Sequence, residues 1–99
     1  MLNDIKIEEV NNFNENPFLV NDEPVMKIAL EVVTILNNTE KIRIKGKGET
    51  CSSAVSVANI ITENILKGNS KTEKIIVDSD IADDGQMVSV IEITISKIN

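Results

Sequence analysis

The amino-acid sequence predicts a two-layer α+β domain in the order β-α-β-α-β-β, with one four-stranded mixed sheet and two helices on one of its faces. Three observations lead there. Residues 25–36 and 51–66 carry apolar side chains at helical spacing. Residues 41–47 instead alternate strictly, with Ile42, Ile44 and Gly46 on one side and Lys41, Arg43, Lys45 and Lys47 on the other. Two β-branched runs, 74–77 and 88–95, close the chain around an acidic, glycine-containing turn.

Each element has a local reason. Residues 1–16 are rich in Asn and Glu and read as a flexible acidic arm, in which Ile5, Ile7 and Val10 offer only a weak added strand; the domain proper spans 17–99. Phe18-Leu19-Val20 is a short apolar run, expected as a buried strand. Asn21-Asp22-Glu23-Pro24 is a helix start, with capping side chains, acids at the positive dipole end and proline in the first turn. Val25, Ile28, Ala29, Val32, Val33, Ile35 and Leu36 form the stripe of the first helix, widened by Met26, and Asn37-Asn38 ends it. Gly46-Lys47-Gly48 turns the chain into a second helix, capped by Thr50 or Ser52. Its stripe is Cys51, Ala54, Val55, Ala58, Ile61, Ile65 and Leu66, with Gly68 as the stop. In the last strand Val88 and Val90 are out of phase with Ile91, Ile93 and Ile95, which predicts a bulge near Val90-Ile91.

Composition excludes several functions. Of 99 residues, 41% are apolar and only Phe13 and Phe18 are aromatic, so one aliphatic core is the expected size. The single cysteine, Cys51, excludes an intramolecular disulfide, and the absence of histidine removes the commonest general base and metal ligand. No run approaches a membrane span, and the N-terminus does not read as a signal peptide, so a cytoplasmic protein is the expectation. The net charge of −6 is unevenly distributed. Residues 1–23 hold one base and six acids, a net −5, whereas residues 24–99 hold nine bases and ten acids. The body of the chain is therefore near neutral.

The basic side of residues 41–47 is the sharpest candidate site. Alternate spacing sets successive cations roughly 6.5–7 Å apart, close to the pitch of phosphates along one strand. A solvated sheet face is the plain alternative. Gly46 and Gly48, leading into a helix N-terminus, favour phosphate, because glycine lets backbone amides approach an anion. The turn lacks the full spacing of a P-loop. Asp78, Asp80, Asp83 and Asp84 lack the calcium-loop pattern and read as a solvated turn. Cys51, Ser52 and Ser53 read as packing and capping residues, since no histidine is present to activate them.

Three stretches in this order resemble the Alba family of small DNA- and RNA-binding proteins: Pro24-Val25-Met26 at the first helix, Ile42 to Gly48 followed by Ser52-Ser53-Ala54-Val55, and Val90-Ile91-Glu92-Ile93 in the closing strand. The resemblance implies a homodimeric, non-enzymatic, chromosome-associated protein without cofactor or small-molecule substrate. Its partners would be double-stranded DNA or RNA, held by Lys41, Arg43, Lys45, Gly46, Lys47 and Gly48. It also places Ile65 near a family aromatic position that joins neighbouring dimers, with an ordinary core position as the equal alternative. There are departures. Asp22 and Glu23 stand where the family commonly has two binding lysines, the second helix begins Glu49-Thr50-Cys51 without bases, and the hairpin 80–87 carries no arginine. An acidic relative that serves as a protein-interaction subunit is the alternative reading. A small-molecule sensing domain is a third.

Overall fold

The computed structural model describes residues 16–98; the expected arm strand at Ile5, Ile7 and Val10 lies outside the described residues. The elements follow the expected order: β1 (Phe18–Leu19), α1 (Val25–Thr39), β2 (Lys41–Lys47), α2 (Thr50–Ile60) continued by a π-helical turn (Ile61–Ile65), β3 (Ser70–Ile81) and β4 (Met87–Lys97). The strands lie in the order β1-β2-β4-β3. β1 runs parallel to β2, and the other two pairs are antiparallel, so the sheet is mixed.

Alternation decides what the sheet buries. Ile42 and Ile44 of β2 pair with Ile95 and Ile93 of β4, and all four are fully buried beneath the helices. Ile28, Val32 and Leu36 of α1 and Val57 and Ile61 at α2 close the core from the other side. Apolar burial of this kind contributes about 1.5–3 kcal/mol for each large side chain. It is the main driving force for the fold.

Several local expectations are corrected. Leu19 is 66% exposed rather than buried, because β1 is a two-residue edge strand; Val20, just beyond it, is the buried member of that run. Met26 is exposed and lies off the α1 stripe. In α2 the buried set is Ala54, Val57, Ala58 and Ile61, spaced i, i+3, i+4, i+7, which leaves Val55 exposed. Neither Thr50 nor Ser52 caps this helix. Instead the Thr50 hydroxyl accepts the Lys47 N–H at 2.8 Å and faces the Lys47 carbonyl at 3.0 Å, tying the turn to the helix. α1 runs past Asn37-Asn38 to Thr39 and ends at Glu40, in a left-handed conformation (φ 70°), whose N–H donates to the Leu36 carbonyl.

The bulge lies on β3, where the register shifts between Thr72 and Lys74, and β4 continues unbroken. β4 is a central strand, so it has an apolar use for both faces. Ile91, Ile93 and Ile95 lie on the helix side. Val90, only 8% exposed, lies on the opposite side between its cross-strand neighbours Lys47 and Asp78. Both strands of the hairpin are longer than expected, at twelve and eleven residues. Their ladder continues through the acids 78–80 to Ile81 paired with Met87. The turn is then closed by the Ala82 N–H to Gln86 carbonyl bond and by Gly85 at φ 86°.

Candidate functional site

The side of the sheet away from the helices carries the charged residues. From β2 it presents Lys41, Arg43, Lys45 and Lys47, as alternation requires. Cross-strand neighbours share a face, so Thr94, Glu92 and Val90 of β4 stand opposite Arg43, Lys45 and Lys47. Lys74, Ile76 and Asp78 of β3 continue those rows, with Lys71 beside Ser96 and Asp80 beside Val88. The bulge adds Glu73 to the same side, where it meets Lys41. Six bases and four acids therefore share this face.

Among the described residues, Lys41, Arg43 and Lys47 of β2 form ion pairs. Lys41 Nζ lies 3.2 Å from Glu73 Oε1, Arg43 Nη1 3.4 Å from Glu92 Oε1, and Lys47 Nζ 3.3 Å from Asp80 Oδ2. The hydrogen bond from Lys41, helped by the charges of Lys41 and Lys71, holds the Glu73 carboxyl below the usual carboxylate range. The Asp80 carboxyl is also lowered, first by the Ile81 N–H that it accepts and then by Lys47. Lys45 is half-buried and borders two shallow recesses. One is formed with Leu19, Val20, Lys47 and Thr50, and the other with Ile76, Asp78, Ser79, Asp80, Val90 and Glu92. Alternation within β2 shows the cations but not the acids that neighbouring strands bring to them. The available signal for Glu92 was its phase in β4, opposite to the buried isoleucines.

The two glycines differ. A Cβ at Gly46 would lie 2.5 Å from the Thr50 carbonyl oxygen and 2.8 Å from Cys51 Cα, so Gly46 is required for the first turn of α2 to rest on β2. It is buried, and it acts on the face by positioning. Gly48 is exposed, takes φ +61°, and anchors its N–H to the Ser89 carbonyl at 2.8 Å. Cys51 is partly buried, with Sγ 3.4 Å from the Ser89 carbonyl oxygen. Glu23 is held by Lys27 at 2.9 Å, one helical turn on, and its N–H donates to Asn21 Oδ1. Ile65, in the π-helical turn, packs half-buried against the core. Among the described residues no group of three or more acidic or cysteine side chains is arranged to hold a metal ion, and no helix is long and apolar enough to cross a membrane.

A mixed sheet with helices on one face and a row of alternating cations on the other defines a small two-layer α+β module that presents a charged surface. The chain belongs to the Alba family, to which residues 16–79 match. Two relatives, each named DNA/RNA-binding protein Alba, from Thermoplasma volcanium and Thermoplasma acidophilum, are 39% identical over 87 residues, covering 84% of this chain and 97% of theirs. The solved structure of Alba from Thermoplasma volcanium superposes with a TM-score of 0.72 at 40% identity, over 82% of this chain and 99% of that one. The crystal structure of ALBA1 from Trypanosoma brucei shares the fold, with a TM-score of 0.66 at 19% identity, covering 85% of this chain and 70% of that chain.

Proposed function

We propose that this protein is a homodimeric, non-catalytic nucleic-acid-binding protein of chromatin type, which contacts the phosphate backbone through Lys41, Arg43, Lys45 and Lys47, while Gly46 and Gly48 shape the turn that presents them rather than touching phosphate themselves. The observation that carries this reading is the row of four cations at alternate positions of β2 on the open side of the sheet. The names of the Thermoplasma relatives, DNA/RNA-binding protein Alba, support it. Binding by phosphate neutralisation needs neither cofactor nor catalytic group, and a cytoplasmic, chromosome-associated location is part of the same proposal.

The dimer is assigned to the outer part of the β3–β4 hairpin. There Ile75, Val77, Ile81 and Met87 lie on the helix side of the sheet, yet are 57%, 72%, 68% and 72% exposed. A second copy that covers these residues would remove from water an apolar surface that a monomer leaves open. Contact between neighbouring dimers is assigned to the exposed part of Ile65.

The four acids on the charged face favour a second reading, an Alba-fold subunit that binds protein rather than nucleic acid. One assay separates the two. Binding is titrated with salt against duplex DNA, single strands and structured RNA, for the unaltered protein and for Lys45→Ala/Lys47→Ala. If each lysine neutralises a phosphate in both subunits, four contacts vanish per dimer. The log–log salt slope then falls by roughly 3–4 at about 0.9 per contact, with little change in stability. No binding to any of the three at low salt would leave the protein-interaction reading. An unchanged slope would place the site elsewhere.

A further inference from the structure

We propose that Glu73, Asp80 and Glu92 are affinity-setting residues, whose carboxylates occupy the β2 cations in place of phosphate so that nucleic acid binds by displacing them. The inference rests on the nucleic-acid reading above and extends it to residues outside the basic row. Three separate devices deliver the acids. The β3 bulge brings Glu73 to Lys41, the β4 register sets Glu92 beside Lys45 and within reach of Arg43, and the hairpin ladder extends far enough to bring Asp80 to Lys47. Asp80 and Glu92 are fixed by backbone pairing and Glu73 by the paired residues on either side of the bulge, so each competes at the high effective concentration of a tethered group.

The pairs suit displacement. At 3.2–3.4 Å they are longer than the roughly 2.7–2.9 Å of a tight charge-assisted contact. Their side chains remain 25–57% exposed, a setting in which an ion pair contributes little individually. A phosphate reaching Lys41, Arg43 or Lys47 thus exchanges one anion for another, and its net gain is smaller than at a bare lysine. A single loose phosphate contact gains little. A surface that engages the whole row at once gains on every pair.

The test compares two charge-matched variants of the full chain. Glu73→Gln/Asp80→Asn/Glu92→Gln removes the competing carboxylates, and Glu31→Gln/Glu40→Gln/Glu63→Gln removes three acids that do not pair with the β2 cations. The first should bind random duplex DNA about 10- to 100-fold tighter than the unaltered protein at low salt. The second should gain far less. The advantage should shrink with added salt, which screens the internal pairs as well. Asp80→Asn alone, at an exposed hairpin position, should retain the fold and show part of the gain. Equal gains from both triple variants would reduce the effect to net charge and overturn the proposal. So would unchanged affinity in a folded Asp80→Asn protein and in the first triple variant while the unaltered protein binds. If no variant binds at low salt, the nucleic-acid reading itself fails, and this inference with it.

Discussion

Gly46 shows how little room a single residue leaves between the site and the core. Its missing side chain lets the Thr50 carbonyl and Cys51 Cα approach β2, and both obstacles are backbone atoms that cannot rotate away. Gly46→Ala should therefore destabilise the domain by about 3 kcal/mol or more, at the upper end of overpacking costs. Thermal melting would show it, and a melting temperature unchanged within a degree or two would refute the packing role. Lys45 and Lys47, flanking it, are expected to behave oppositely, with binding lost and stability kept. Gly46 was legible in the sequence as a special position beside a basic turn. Its closest neighbours, four and five residues ahead, became visible only once α2 lay against β2.

At the scale of elements, the bulge on β3 sets the charge of the sheet. It turns Glu73 onto the open side and gives Lys41 its partner. Because Lys41 holds the Glu73 carboxyl below its ordinary range, the pair contributes stability above the unfolded carboxylate range and loses it as pH falls through the lowered folded value. Glu73→Gln should thus melt about 2–4 °C below the unaltered protein at pH 7, with the gap closing as pH falls through the lowered Glu73 range. A gap that persists at the acid end would show that Glu73 acts through packing rather than charge. Alternation in β2 and most of the two helical stripes were readable from residues alone, since each depends on one element; Met26 and Val55 were misplaced on those stripes and Val57 was missed. The bulge was not: the phase change at Val90-Ile91 reflects a central strand with apolar residues on both faces, whereas the bulge falls on the edge strand, opposite Thr94 and Ile95. β4 is paired on both sides, and β3 only on one.

For the whole molecule, surface apolarity and charge distribution make separate predictions. Val77→Asp with Ile81→Asp puts charge on two side chains that are already about 70% exposed in one copy, so a monomer should tolerate both. A dimer built on that face should not. Light scattering should report the 10.9 kDa species for the variant and twice that mass for the unaltered chain at micromolar concentration. A 10.9 kDa unaltered protein would remove the dimer from the proposal. The second prediction concerns residues 1–23, net −5, with Asp22 and Glu23 at the start of α1. A tethered polyanion near a basic row competes with phosphate and is screened over about 8–10 Å at physiological ionic strength. Deleting residues 1–16 removes one base and four acids, and Asp22→Lys with Glu23→Lys shifts the charge further. Affinity for random duplex DNA should rise at each step, most at low salt. A truncated protein that binds no better would show the arm to be inert.

The sequence by itself determined the order of elements, the two-layer class, the family and the cations of β2. These follow from periodicity and local motifs, which one stretch of chain carries in full. Tertiary structure alone decided which acids meet those cations, why Gly46 admits no side chain, and where apolar residues of the hairpin remain uncovered. Each of these depends on strand register or on the lie of a helix across the sheet. Both are set by the packing of residues far apart in the chain, and no local pattern encodes that distance.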